Sequence, residues 1–208
     1  MKHHLTTNYG LQNVTVLMDR PPDRYKPLNE PAQGLFLEIL PETRGFDRKT
    51  TKLLVTSTSY TADEPLQPLL DALVKYSESS NSALPKILLL ITGRGPMQGL
   101  YLSRIADLHL SDEDGKCIVK TVWLQPEDYP RLLACADLGI SLHTSSSGMD
   151  FPMKIVDLFG CGVPVCAVNF PAYDPISVTG DLMLVWEKLL KMELMVWCLM
   201  IRMSYMRY

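Results

Sequence analysis

From Lys52 to Phe170 the apolar residues fall in short blocks whose period switches repeatedly between that of a strand and that of a helix. KLLVTSTS, beginning at Lys52, reads as a strand. The segment opened by Pro65, PLQPLLDALVKYSES, sets Leu66, Leu69, Leu70, Leu73 and Val74 on one helical face. Asp63 and Glu64 precede it, where negative charge suits a helix N-terminus. KILLLIT (86–92) is apolar almost throughout, as in a strand buried on both faces of a parallel sheet. A helix follows at roughly 97–109, then strand CIVKTVWL, helix PEDYPRLLACA, strand DLGISLH, helix PMKIVDLFG and strand VPVCAV. This alternation predicts an α/β fold with right-handed crossovers, a Rossmann-like doubly wound parallel sheet.

The flanks follow a different rhythm. NVTVLM (13–18) alternates weakly and reads as a short strand, and PPDRYKPLNEPAQG after it has the composition of a linker. Residues 19–50 are therefore expected to lie outside the core. After Phe170, the methionine- and tryptophan-rich DLMLVWEKLLKMELMVWCLMIRMSYMRY reads either as an amphipathic docking helix or as an out-of-frame remnant. The expected division is an interdomain and linker region over 1–50, a nucleotide-sugar-binding domain over 51–170 and a divergent tail over 171–208.

Composition narrows the function classes. An apolar fraction of 47% and a charged fraction of 21% in 208 residues belong to a packed globular protein. A net charge of −3, with the basic residues scattered, leaves no electrostatic footprint for a nucleic acid. Cys117, Cys135, Cys161, Cys166 and Cys198 form no CxxC pair and no histidine-rich cluster, which fits reduced, buried thiols rather than disulfides or zinc. Asn13-Val14-Thr15 matches a glycosylation acceptor, a pattern short enough to arise by chance. The N-terminus has no apolar core of a signal peptide, and no run reaches the ~18 apolar residues of a spanning helix, so no transmembrane segment is expected.

In an open parallel sheet, ligands bind beyond the carboxyl ends of the strands. The loops there are Ser57 to Thr61 with Ser59 at its centre, Gly93-Arg94-Gly95-Pro96, Trp123 to Asp128, and His143 to Asp150. Gly93 and Gly95 suit close approach of backbone amides to an anion, with Arg94 to meet it, and equally suit a tight strand-to-helix turn. Thr144, Ser145, Ser146, Ser147 and Gly148 either solvate a phosphate or cap the next helix, with Lys154 a point charge in its first turn. Asp157, one turn on, either holds a ribose diol or stands as a solvated acid. GxGxxG and the P-loop are both absent. Without a GxSxG elbow, and with His143 adjoining the serines in sequence, a serine hydrolase is disfavoured.

Taken in order, KLLVTSTSYTADE, ITGRGP, EDYP and ADLGISLHTSSSGMDFPMKIVDLFGCGVPVCAVNF, with NVTVLMDRPP ahead of them, resemble the donor-binding C-terminal half of a GT-B glycosyltransferase. More narrowly they resemble the chitobiosyldiphosphodolichol β-mannosyltransferase family, over about residues 11–170. The resemblance implies mannosyl transfer from GDP-mannose to dolichol-diphosphate-linked chitobiose in N-glycan precursor assembly, with inversion at the sugar. It implies a metal-independent enzyme with no cofactor besides its donor, at the cytosolic face of the endoplasmic reticulum, or in the cytosol if nothing replaces a missing anchor. Other mannosyltransferases of the pathway are implied partners. At matching positions Gly93, Arg94, Gly95 and the Ser145 to Lys154 loop would contact the diphosphate, Asp157 the ribose, and Trp123 to Asp128 the guanine. Ser57 and Ser59 join this nucleotide-sugar-binding set from the first loop.

The sequence departs from that pattern in two places. Almost all of an N-terminal acceptor domain, with its general base and anchor, is absent from these residues, so no catalytic base can be named and turnover is expected to be impaired. PAYDPISVTGDLM replaces the Glu-Leu-Val-like helix start and Asn-Gly-Leu turn expected after Phe170. The alternatives are a non-catalytic GDP-sugar-binding or interaction module and a product that folds poorly.

Overall fold

A computed structural model describes residues 2–15, 17, 19–143, 152–168 and 183–185. Six parallel strands form one sheet: β1 (Thr51–Ser57), β2 (Lys86–Thr92), β3 (Cys117–Val122), β4 (Leu138–Ser141), β5 (Val165–Ala167) and β6 (Met183–Val185). Their spatial order, β3-β2-β1-β4-β5-β6, is that of a dinucleotide-type doubly wound sheet, and it reverses direction between β1 and β4. β1 runs in register with β2 from Thr51 opposite Lys86 to Ser57 opposite Thr92, and pairs on its other edge with β4 over Leu54–Thr56.

Period-2 alternation sends the strand residues to two separate cores. On one face Leu54, Ile87, Leu89 and Ile91 meet Leu69, Leu70 and Leu73 of α3 (Gln67–Ser77) and Tyr101 and Ile105 of α4 (Gln98–Asp107). On the other, Leu53, Val55, Leu88 and Leu90 meet Leu132 and Leu133 of α5 (Asp128–Cys135), with Ile155 and Leu158 of α6 (Met153–Gly160). Fully burying each such leucine or isoleucine contributes about 1.5–3 kcal/mol, which is why KILLLIT needed no polar face. Asp137 pins the entry of β4 to β1: its carboxylate accepts the Leu53 amide at 2.9 Å while its own amide donates to the Leu53 carbonyl at 2.8 Å.

Three expectations are corrected. The proline-rich region is part of the core: Tyr25, Phe36, Leu37 and Leu40 are buried in the second cluster, and α2 (Glu30–Ile39) packs on α5. Asn29 caps α2 by accepting the Ala32 amide at 3.0 Å, with Pro31 in its first turn, and the buried Gln33 amide donates to the Leu28 and Ala134 carbonyls, both at 2.9 Å. Proline here starts a helix rather than spacing a linker. Residues 13–15 and 17, read as part of a strand, join no sheet, and Asn13 has a φ of 57°. A helix, α1 (Lys2–Tyr9), precedes them. Finally, a strand, β6, lies within the segment read either as a docking helix or as an out-of-frame remnant, pairing with β5 from Val165 opposite Met183 to Ala167 opposite Val185. No described helix is long and apolar enough to cross a membrane.

Candidate functional site

The carboxyl ends of β1, β2 and β4 meet around the backbone of Ser57, Thr58 and Ser59. The GRGP loop presses directly on this segment. A Cβ on Gly93 would lie 1.8 Å from the Thr58 carbonyl oxygen, and one on Gly95 1.6 Å from that of Ser59. Gly93 also has a φ of 127°, a conformation side-chain-bearing residues rarely adopt. Close approach of the two loops therefore accounts for both glycines. Thr58 donates its amide to the Thr92 carbonyl at 2.9 Å and Met97 donates to the Tyr60 carbonyl at 3.0 Å, closing the joint. Tyr60, fully buried, takes up a φ of 49° there.

Glu64 is the hub of this corner. Its carboxylate accepts the Thr58 hydroxyl at 3.0 Å and the Ser59 amide at 2.7 Å through one oxygen, and the Lys154 ammonium through the other. Lys154, in the first turn of α6, also donates to the Ser57 carbonyl at 2.6 Å. The pair is mostly out of water, with side-chain exposures of 16% for Lys154 and 7% for Glu64. Burial pushes the Glu64 carboxyl up, but the Lys154 ammonium, the Ser59 amide and the Thr58 hydroxyl outweigh it and hold the pKa below the usual range. His143 stands alongside, its Nδ1 3.4 Å from Asp63 and 3.9 Å from Glu64.

Arg94 packs on an aromatic ring. Its guanidinium lies over the Trp123 ring, 4.2 Å from the centroid, and Trp123 is 57% exposed. An exposed indole faced by a guanidinium at a sheet edge offers a flat surface for a planar group.

Asp157 belongs to a neighbouring cluster. Burial raises its pKa, against the hydrogen bond from Tyr25 and the charge of Arg24. Tyr25 packs edge-on against Tyr129 with ring centroids 6.2 Å apart, and the Tyr129 hydroxyl meets the Ser57 hydroxyl at 2.8 Å. Asp157 is thus joined to the first loop through two tyrosines, one of them from the region read as linker.

The structure brings together Ser57, Ser59, Gly93, Arg94, Gly95 and Lys154, and sets Asp157 on the next turn of the same helix. Ser145, Ser146, Ser147 and Gly148 lie outside the described residues. Sequence reasoning missed Glu64, Tyr25 and Tyr129. Glu64 was visible only as an acid before a helix, because its partner lies 90 residues away in the chain. Among the described residues no group of three or more His, Cys, Asp and Glu side chains is placed to hold a metal ion.

No family model matches the chain. Curated proteins do: it is 47% identical over 176 residues to the chitobiosyldiphosphodolichol beta-mannosyltransferase of Candida albicans, covering 84% of the chain and 37% of that protein. The protein of the same name from Yarrowia lipolytica is 44% identical over 171 residues, covering 81% of the chain and 36% of that protein. The UDP-glycosyltransferase TURAN of Arabidopsis thaliana is 37% identical, covering 86% of the chain and 48% of that protein. The chain spans less than half the length of each of these relatives. Among solved structures it resembles the Anabaena protein HepE in complex with UDP, with a TM-score of 0.60 at 17% identity, covering 82% of the chain and 43% of HepE. A glycosyltransferase from Rickettsia africae gives a TM-score of 0.59 at 17% identity, covering 82% of the chain and 42% of that protein. At such identities the structures speak for the fold, which is the Rossmann-like half of a GT-B glycosyltransferase. The likeness in sequence is of another order, extends over more than four fifths of the chain and recurs in protein after protein of one name, so the chain belongs to the chitobiosyldiphosphodolichol beta-mannosyltransferase family.

Proposed function

We propose that this chain forms the donor-binding part of a mannosyltransferase that takes mannose from GDP-mannose and delivers it to the chitobiose of a dolichol diphosphate. The observation that carries this reading is the placement of Lys154 and Arg94. They stand at the carboxyl edge of the sheet beside the β1–β4 reversal, Lys154 bonded to the Ser57 carbonyl from the first turn of α6 and Arg94 in the loop whose two glycines press on Thr58 and Ser59. A nucleoside diphosphate leaving from the sugar gains negative charge, and a cation, backbone amides and the N-terminal dipole of α6 are the groups that meet such charge without a metal. In this reading Lys154 faces the diphosphate, with Ser145 to Gly148 completing the loop before α6. The Arg94–Trp123 surface borders the guanine, and Asp157 takes the ribose, exchanging part of its contact with Tyr25. No cofactor beyond the donor enters the scheme.

No described residue is assigned to the acceptor or to the base that deprotonates it. A dolichol-linked acceptor places the reaction at a membrane; the reading puts it at the cytosolic face of the endoplasmic reticulum, with other mannosyltransferases of the pathway as candidate neighbours.

Titration calorimetry with GDP, GDP-mannose and UDP tests the reading. Binding of both guanine ligands, weakened by Arg94→Ala and by Lys154→Ala, is the expected result. Equal weak signals for the wild-type chain and both variants would overturn it.

A further inference from the structure

The donor-site reading leaves one group at this corner without a role. Glu64 is an acid, 5% exposed, lodged where a site for a polyanion is proposed. A carboxylate there repels a diphosphate, and burying it costs free energy unless it is fully paired. Helix capping does not explain it, because α3 begins at Gln67 and its N-cap, Leu66, makes no side-chain cap. What Glu64 does is make three contacts at once. One oxygen fastens the Thr58 hydroxyl and the Ser59 amide, and the other takes the Lys154 ammonium. Lys154 is thereby held by an acid from the loop after β1 and by the Ser57 carbonyl at that strand's end, 2.6 Å away. An ammonium carries three donors, and these two contacts direct two of them inward.

We infer that Glu64 is a positioning residue of the donor site, acting through Lys154. It holds a flexible four-carbon side chain in one place so that the third N–H of the ammonium is aimed at a phosphate oxygen before the ligand arrives. A lysine free in solvent would lose its rotamer freedom on binding; one already fixed does not. The acid thus costs some direct attraction and gains placement of the ammonium. His143 borders the pair, its Nδ1 3.9 Å from Glu64 and 3.4 Å from Asp63.

This inference rests on the proposed donor site, and a double-mutant cycle with GDP as the probe separates the two. The variants are Glu64→Gln, which keeps an acceptor for Thr58 and Ser59 but removes the charge, Lys154→Met, and the pair. Lys154→Met is expected to weaken GDP roughly ten- to a hundredfold, the worth of a hydrogen bond to a charged group, and Glu64→Gln to weaken it roughly three- to tenfold. The double variant is expected to bind as Lys154→Met does, because Glu64 acts through the lysine. A loose loop brace would give the same loss from Glu64→Gln in both backgrounds, and that additivity overturns the inference, as does undiminished binding by Glu64→Gln. If Lys154→Met binds GDP like the wild type, the donor site itself is misplaced. Should Glu64→Gln lose its cooperative thermal transition, the wild-type chain supplies the measurement through the NMR resonance of the Lys154 ammonium. That signal is expected to be protected from solvent exchange without ligand and to shift when GDP is added; a freely exchanging ammonium contradicts the inference.

Discussion

Gly95→Ala isolates the joint between the first two strand-end loops, because Gly95 does not have the positive φ that would confuse contact with backbone strain. The added Cβ would sit 1.6 Å from the Ser59 carbonyl oxygen, where contacts under 3.0 Å essentially do not occur. The obstacle is backbone on both sides, so no side chain can swing away. The loops must part, and in parting they strain the Met97 to Tyr60 bond of 3.0 Å and the Ser59 to Glu64 bond of 2.7 Å. Overpacking of this kind costs about 1–3 kcal/mol, and each of the two weakened bonds about 1 kcal/mol more, so a loss of about 3–5 kcal/mol is expected. For a chain of this size that is a fall in Tm of roughly 5–20 °C, taken from a total stability of about 5–15 kcal/mol. Thermal unfolding followed by circular dichroism, with no ligand present, is the assay. Gly34→Ala is the control: Gly34 lies within α2, a Cβ there meets nothing within 4 Å, and alanine should leave Tm unchanged or raise it slightly. If Gly95→Ala melts like the wild type without ligand, loop packing is not what demands glycine at 95, and the close approach of a bound anion becomes the better explanation.

The Glu64 pair should appear in the acid limb of the stability curve. Its folded pKa lies below the unfolded one, so its contribution is fully present above the ordinary carboxylate range and is lost as pH falls through the folded value. The Tm difference between the wild type and Glu64→Gln, measured by calorimetry from pH 7 down to about pH 3, is expected to shrink toward zero; a constant difference would sever the link to the charge. Asp157 has the opposite sign, since burial raises its pKa and the penalty is relieved as pH falls through the folded value. Asp157→Asn should therefore flatten the same curve in the other direction, and a change of the Glu64 kind would refute that assignment. Cys117, Cys135 and Cys161 are buried, with thiols pushed up to about 12, 11 and 12, and Cys166 is buried too. Peptide mapping after iodoacetamide at pH 7.5 should find these four unlabelled in the folded chain and labelled in denaturant; labelling of any of them under native conditions contradicts the packing.

What the sequence disclosed and what it hid follow from the range of the interactions concerned. β1 to β5 and α3 to α6 were readable because each carries its own period: Leu69, Leu70 and Leu73 mark a helical face, and Ile87 to Ile91 a doubly buried strand, with no partner needed. α2 carried a local signal as well, Asn29 as cap and Pro31 in the first turn, but the surrounding prolines and Gly34 read as linker, and only burial of Phe36 and Leu37 against α5 decides the matter. β6 is too short to show a period and exists through its pairing with β5. The site divides in the same way. That the loops of Ser57, Arg94 and Lys154 share one sheet edge follows from topology. That Lys154 meets Glu64, that Arg94 lies over Trp123, and that Asp157 reaches Tyr25 depend on side chains brought together from distant parts of the chain.

The central claim is that a guanine nucleotide sugar binds at the carboxyl edge of this sheet. An amide chemical-shift map of the isotope-labelled chain titrated with GDP-mannose tests it most directly. Shifts concentrated at Ser57–Tyr60, Gly93–Gly95, Trp123 and Met153–Asp157 are the predicted result. No shifts at all, or shifts gathered at the opposite edge of the sheet around Thr51, Lys86 and Cys117, would contradict it.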